Sequence, residues 1–362
     1  MNIFVLDKTV INKTYQEHLS LNWVLKHDKY VKPDSSFYSP EFDYHGFFPD
    51  GNGDYTTSKI DTLSTEELDV ISDKYDMAYF TDLYGVYRVE WNNEYPELNP
   101  DEMPGRVGER SSLMYGGLKE KELELLLQFK EKKKLVINEF NIIASPTSYS
   151  VRKKYEEGFN VRWTGWTGRY IENLDSTINR ELPRWLLNNY KNQNDGNWPF
   201  KNSGIILVSN SDSVVILENE THLNIELPYI HTDKEHRRYY GIADEMKYPF
   251  WFDVIQTSDD NEIISRYQLD TNAKGDSLLQ RWRIPKHFPA VIKSKNDEPY
   301  YYFAGDFADN PITMKRSRLK YIQNFGFLFY DEVANERKSF FWEFYQPLVS
   351  RILEDYYQTL EE

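Results

Sequence analysis

The first part of the chain alternates short apolar runs with helical patterns of apolar residues. Runs of strand length occupy residues 3–6, 77–80 and 135–138, and each is too short for a helix. Between the last two, residues 118–133 carry leucines at the spacing that places them on one face of a helix. Helix, short turn and apolar strand in repeating order are typical of a wound sheet. The pattern therefore predicts an α/β fold with a wound, mainly parallel sheet and flanking helices.

Two of the predicted helices begin with a capping box, in which a hydroxyl residue and a glutamate three residues later satisfy each other's backbone amides. Thr14 with Glu17 predicts one such start, and Ser64 with Glu67 predicts another.

From about residue 204 the pattern changes to strands joined by short polar turns. Residues 205–208 and 214–217 are apolar runs separated by a serine-rich turn, which is typical of a hairpin. Residues 300–303 form a further apolar run, and apolar residues at helical spacing follow toward the C-terminus. The predicted units are a wound α/β core (1–203), a β-rich subdomain or insertion (204–295), and a returning strand with a C-terminal helix packed on the core (296–362).

Acids or amides directly follow four of the predicted strands. They are Asp7, Asp82, Glu139 with Asn141, and Asp306 with Asp309. Ligands of wound sheets bind outside the carboxyl ends of the strands, so these residues are candidate site residues. Several neighbouring carboxylates cannot all ionise at low cost, and such a group keeps a proton or holds a cation. The alternative is that each acid caps a helix or accepts a hydrogen bond from a loop amide.

A tryptophan-rich segment at residues 163–170 interleaves two Trp and two Gly with Thr and Arg, and we interpret it as a shaped loop. Trp166 could stack on a sugar ring, and Arg169 could bind a carboxylate or phosphate. Together with Tyr84 they would line a pocket beside the strand-end acids. The alternative is that the tryptophans are core anchors and that Arg169 pairs with one of these acids.

Composition narrows the chemistry. The 362 residues include 58 acidic and 43 basic side chains, for a net charge of −15, and there is no cysteine. The absence of cysteine excludes disulfides, thiolate metal sites and cysteine nucleophiles. The negative charge argues against nucleic acid and anionic membranes as partners. The chain shows no signal peptide and no membrane span, so we expect a cytoplasmic protein.

Known cofactor motifs are missing. There is no G-x-G-x-x-G, P-loop, compact histidine metal spacing or G-x-S-x-G elbow. Residues 50–61 resemble a calcium loop, but Tyr55 stands where that loop requires glycine, so a surface turn is the favoured interpretation. The sequence therefore predicts neither a cofactor nor a metal.

Four segments carry a resemblance to a group of uncharacterised bacterial proteins: DLYGVY at 82–87, EFN at 139–141, GWTGRY at 165–170 and FAGDFAD at 303–309. The layout is similar to the class I glutamine amidotransferase-like superfamily, a flavodoxin-like wound sheet that includes the ThuA-like proteins. Amidotransferases of that superfamily carry a nucleophilic cysteine after a central strand, with a His–Glu pair. The corresponding turn lies near Phe140 and Asn141, where no cysteine stands. The resemblance therefore implies the fold and the pocket position, but not glutaminase activity.

Three functions follow as hypotheses. The first is binding of a small polar ligand, such as a carbohydrate, at the strand ends. The second is a glycoside hydrolase or related hydrolase in which Glu139 pairs with Asp82 or Asp306. The third is a non-catalytic interaction or structural role, in which residues 204–295 mediate assembly, including assembly of identical subunits.

Overall fold

The structure is a computed structural model that describes residues 1–98, 105, 108–331 and 333–361. No helix among these residues is long and apolar enough to cross a membrane. The strands are β1 (Ile3–Asp7), β2 (His45–Pro49), β3 (Tyr55–Thr57), β4 (Met77–Phe80), β5 (Val86–Tyr87), β6 (Leu113–Tyr115), β7 (Leu135–Asn138), β8 (Val161–Ile171), β9 (Gly204–Ser209), β10 (Val214–Glu218), β11 (Tyr229–Thr232), β12 (Glu245–Lys247), β13 (Phe252–Thr257), β14 (Asn261–Gln268), β15 (His287–Ser294) and β16 (Tyr300–Phe303).

The α-helices are α1 (Gln16–His27), α2 (Thr65–Lys74), α3 (Arg88–Glu94), α4 (Glu120–Glu131), α5 (Tyr149–Phe159), α6 (Arg184–Gln193), α7 (Lys234–Tyr240), α8 (Ala273–Trp282), α9 (Lys338–Phe340) and α10 (Gln346–Glu361). A π-helical turn at Phe341–Tyr345 joins α9 to α10. Short 3₁₀ helices lie at Ile60–Thr62, Pro96–Leu98, Met314–Arg318 and Ile322–Leu328.

Within the described ranges, ten strands form one mixed sheet in the order β12-β11-β14-β15-β16-β7-β4-β1-β2-β3. The strands β16, β7, β4, β1 and β2 are parallel neighbours. The strands β15, β14, β11 and β12 continue the sheet in antiparallel fashion. The predicted α/β class and the wound parallel strands are confirmed. The expectation of a mainly parallel sheet is corrected, because antiparallel strands extend it on both sides.

The central strands are buried along their whole length, which explains why they read as uninterrupted apolar runs. Helix α4 buries Leu123, Leu126 and Phe129 in the core that includes these strands. Helix α10 contributes Leu348 and Ile352 to the same core. Both predicted helices are therefore present, with α4 slightly shorter than its sequence pattern.

A second, antiparallel sheet has the order β10-β9-β8-β13. Strand β8 contains the whole tryptophan-rich segment, so the expectation of a loop there was wrong. Trp, Thr and Tyr favour strands, and Gly165 adopts a φ of 90° at a bulge opposite β13. Residues 204–295 contribute strands to both sheets, and their description as a subdomain or insertion stays a prediction.

The two predicted capping boxes have different outcomes. Ser64 accepts a hydrogen bond from the Glu67 amide at 3.2 Å, and Glu67 accepts one from the Ser64 amide at 2.8 Å, which confirms this box. The box at Thr14 was wrong, because α1 begins at Gln16 after Tyr15 in a left-handed conformation. Glu17 is thereby free to point elsewhere.

Candidate functional site

Acidic side chains meet at one edge of the large sheet, where its parallel strands end. The strands β16, β7, β4 and β1 are direct neighbours there. The buried acids that follow or end them are Asp7, Asp82, Glu139, Asp306 and Asp309. Repulsion between buried carboxylates is only weakly screened by solvent, so the group needs protons or cations to balance its charge.

Asp7, the last residue of β1, is held by hydrogen bonds. One of its oxygens accepts from the Thr9 amide at 2.9 Å and from its hydroxyl at 2.8 Å. The other lies 2.6 Å from Nδ1 of His18, whose Nε2 lies 2.7 Å from the Pro40 carbonyl oxygen. A Cβ at Gly46, which has a φ of 136°, would lie 1.6 Å from the Asp7 carbonyl oxygen. Only glycine therefore lets β2 approach this strand end.

Glu139 lies fully buried just after β7. The Tyr79 hydroxyl donates to one of its oxygens, and the Ala308 amide donates to the other at 3.0 Å. The Tyr79 hydroxyl also lies 2.7 Å from that of Tyr345. Burial raises the pKa of Glu139 to about 8, although these hydrogen bonds act in the opposite direction. Burial therefore favours the protonated form of Glu139 near pH 7, and the hydrogen bonds hold its carboxyl group in place.

Asn141 is linked to the second sheet through Asp253, and Asp82 lies beside Asn141. Asp82 accepts a hydrogen bond from the Tyr84 amide at 2.6 Å, and burial raises the pKa of its carboxyl well above the usual value. The backbone amide of Asn141 donates to Asp253 at 2.9 Å, and the Thr167 hydroxyl donates to the same carboxylate at 2.7 Å. Burial raises the pKa of Asp253 to about 6. Asp253 could not be predicted as a site residue, because only the pairing of β13 with β8 brings it here.

The most tightly grouped acids are Glu17, Asp306 and Asp309, whose nearest carboxylate oxygens lie within 4.8 Å of one another. Gln16 donates to Asp309, and Arg337 forms an ion pair with Asp309 at 3.1 Å. We call these three acids the carboxylate cluster. Among the described residues they are the group that could hold a metal ion, and their oxygen ligands suit Mg²⁺ or Ca²⁺.

The pKa values of two acids in the carboxylate cluster are raised. Burial raises the pKa of Glu17 well above its usual value, and the charges of Asp309 and Asp306 raise it further. Burial and the neighbouring Asp309 likewise raise the pKa of Asp306. One oxygen of Glu17 is buried without a hydrogen-bond partner in the described part of the chain. Glu17 was not among the predicted site residues, because its spacing from Thr14 predicted a role in helix capping.

A cleft of about 410 Å³ adjoins the carboxylate cluster. Its lining includes Arg169, Arg337, Phe250, Glu172 and Glu181. The guanidinium of Arg337 lies 3.7 Å from the centre of the Phe250 ring and also contacts Asp309, so it joins the cleft to the cluster. Arg169 lies over the same ring at 5.6 Å and contacts Glu181 at 3.4 Å.

Trp166 and Tyr84, which were predicted to line the pocket, do not line the cleft. Trp166 is buried in β8, packs edge-on against Trp282 at 5.7 Å and is not part of the cleft lining. This placement matches the core-anchor alternative. Tyr84 is half-buried beside Tyr87, with ring centres 4.7 Å apart. Of the predicted pocket residues outside the strand ends, Arg169 is the one that lines the cleft.

The arrangement places acids that could share protons or hold a cation beside a cleft that offers two guanidinium groups, an aromatic ring and carboxylates. Such a site suits a ligand that both donates and accepts hydrogen bonds. Fold and site together define a mixed α/β protein with a largely buried carboxylate cluster beside the ends of its parallel strands.

Comparisons with known proteins add little. No family model matches the chain, and no curated protein matches its sequence. The solved structures similar to this chain include a protein from Bacteroides uniformis described as ThuA-like, with a TM-score of 0.36 and 11% identity over 89% of this chain and 86% of that chain. This likeness agrees in name with the resemblance stated above but is too weak to assign a family or a function.

Proposed function

We propose that the protein binds a small polar ligand of the carbohydrate class in the cleft beside the carboxylate cluster. The supporting observation is the Nε of Arg169, a buried donor that finds no acceptor among the described residues. A buried polar group without a partner costs free energy, which an oxygen of a bound ligand would recover. Burial also lowers the pKa of Arg169, which fits a guanidinium largely removed from water.

The lining of the cleft indicates which carbohydrate is favoured. Sugar hydroxyls donate to carboxylates such as Glu172 and accept from guanidinium groups, while the C–H face of a sugar packs on a ring such as Phe250. Arg169 and Arg337 both lie over that ring. The Nε of Arg169 has no acceptor among the described residues, and the carboxylate of an acidic sugar would supply one. We therefore expect uronic acids to bind more tightly than neutral sugars.

Arg169→Met is expected to weaken binding of such a sugar by roughly tenfold or more, because it removes a charge-assisted contact while keeping most of the side-chain volume. The measurement is isothermal titration calorimetry with glucuronate and galacturonate, compared with glucose and galactose. The wild-type protein should bind the acidic sugars more tightly than the neutral ones.

Arg162→Met is the matched control, because Arg162 lies exposed on the same strand β8, outside the cleft. It should bind as the wild type does. Equal affinities of the two variants for the acidic sugars, or no heat of binding from any of the four sugars, would contradict the proposal.

A carboxylate-based hydrolase is the second candidate, and the closeness of the acids in the carboxylate cluster is the observation behind it. Acids within 4.8 Å of one another can supply both a proton donor and an ionised base, as glycoside hydrolases require. In this candidate Asp306 acts rather than Glu139, whose two oxygens are both engaged in hydrogen bonds. Release of 4-nitrophenol from aryl glycosides, abolished by Asp306→Asn, would separate hydrolysis from binding alone.

A further inference from the structure

One short stretch of the surface combines exposed apolar side chains with positive charge. It comprises residues 314–330, which we call the basic–aromatic segment, and contains the 3₁₀ helices Met314–Arg318 and Ile322–Leu328. Its more than half-exposed apolar side chains are Leu319, Tyr321, Phe325, Phe327 and Leu328. Large exposed apolar side chains concentrated in so short a stretch are a feature of interaction surfaces.

The charge of the segment is opposite to that of the whole chain. Lys315, Arg316, Arg318 and Lys320 lie within it, and no acid occurs between residues 310 and 330, whereas the chain has a net charge of −15. None of the four cations forms an ion pair with a described residue. Arg316 lies over the Phe329 ring at 4.1 Å, whereas Lys315, Arg318 and Lys320 are exposed and available to an external anionic partner.

The exposed side chains are held outward by a fixed backbone. Ile322 and Gly326 are buried, and a Cβ at Gly326 would lie 2.8 Å from the Cβ of Trp342. The ring of His27 contacts the Ser317 carbonyl oxygen at 3.2 Å through Nδ1 and the Gln323 side chain at 3.0 Å through Nε2. The segment thus presents its apolar side chains because its other face is anchored to the core.

We propose that the basic–aromatic segment binds the surface of an anionic lipid bilayer. Phe and Leu side chains enter the boundary between headgroups and acyl chains, while Lys and Arg contact anionic headgroups. The acidic remainder of the chain is repelled by such a surface, so binding orients the protein with this segment toward the lipid. The expectation of no membrane partner rested on charge averaged over the chain, and this segment departs from that average.

The test is cosedimentation of the full chain with vesicles. We expect binding to equimolar phosphatidylglycerol–phosphatidylcholine vesicles and none to phosphatidylcholine alone, because the charge attraction is absent in the second case. The double variant Phe325→Ser/Phe327→Ser should reduce binding by roughly tenfold or more, since it removes the inserted apolar area. Lys315→Gln/Lys320→Gln should reduce it as well, and added salt should weaken the wild type.

Matched control variants are Phe42→Ser, at a phenylalanine exposed elsewhere, and Lys234→Gln/Lys274→Gln, at exposed lysines outside the segment. Both should bind as the wild type does, and circular dichroism checks that all variants fold. Wild-type protein that stays in the supernatant with anionic vesicles would overturn the proposal. So would a concentration-dependent dimer that Phe325→Ser/Phe327→Ser abolishes while vesicle binding is absent, because a second copy of the chain would then cover the segment.

Discussion

Glu139→Gln is expected to reduce the pH dependence of stability between about pH 4.5 and pH 8. An unfolded glutamate releases its proton near its ordinary pKa of 4.5, whereas burial raises the pKa of the folded Glu139 to about 8. Between these values the folded state binds more protons than the unfolded state, so the free energy of unfolding falls as the pH rises. Each pH unit costs about 1.4 kcal/mol, or roughly 5 kcal/mol across the range.

Glutamine stays neutral at every pH and can still accept from the Ala308 amide, so the variant lacks this loss. The measurement is urea denaturation of both proteins at several pH values in that interval. Glu157→Gln, at an exposed glutamate, is the control and should keep the wild-type slope. An unchanged slope in Glu139→Gln would mean that Glu139 is already ionised in the folded protein.

Lys8→Met is the second substitution with a large expected effect. Lys8 directly follows Asp7, and its Nζ lies 2.6 Å from Oε1 of Glu122 and donates to the Gly117 carbonyl at 2.8 Å. Both members of this ion pair are almost completely buried. Removal of the cation leaves the buried Glu122 carboxylate without a compensating charge, which costs about 3–5 kcal/mol. The free energy of unfolding, measured by urea denaturation, should fall by that amount.

The double variant Lys8→Met/Glu122→Gln should recover part of this loss, because it removes the unpaired charge. The introduced glutamine side chain can still accept from the Lys119 amide, as Glu122 does. A loss below about 1 kcal/mol in the single variant, or no recovery in the double variant, would mean that solvent reaches this pair.

The strand ends could be predicted because they follow from local pattern. Short apolar runs ending in Asp7, Asp82 and Glu139 became neighbouring parallel strands, as their pattern indicated. The capping box at Ser64 was equally local and was confirmed. Where only short-range sequence decides the outcome, the residues themselves contain enough information.

The errors arose where distant segments decide the structure. Trp163 and Trp166 became part of a strand because β9 and β13 pair with it on either side. Glu17 does not cap the helix, because Tyr15 is the residue before the first helical turn and the Glu17 side chain lies beside Asp306. No periodicity within a single segment reports such pairings, so these parts of the site required the structure.

The most direct test of the proposed binding site is a crystal structure of the protein soaked in glucuronate. We predict density for the sugar in the cleft, with its carboxylate at Arg169 and its ring against Phe250. Density for the sugar at another surface with the cleft unfilled, or Arg169 Nε bonded to a group of the protein itself, would contradict the proposed site.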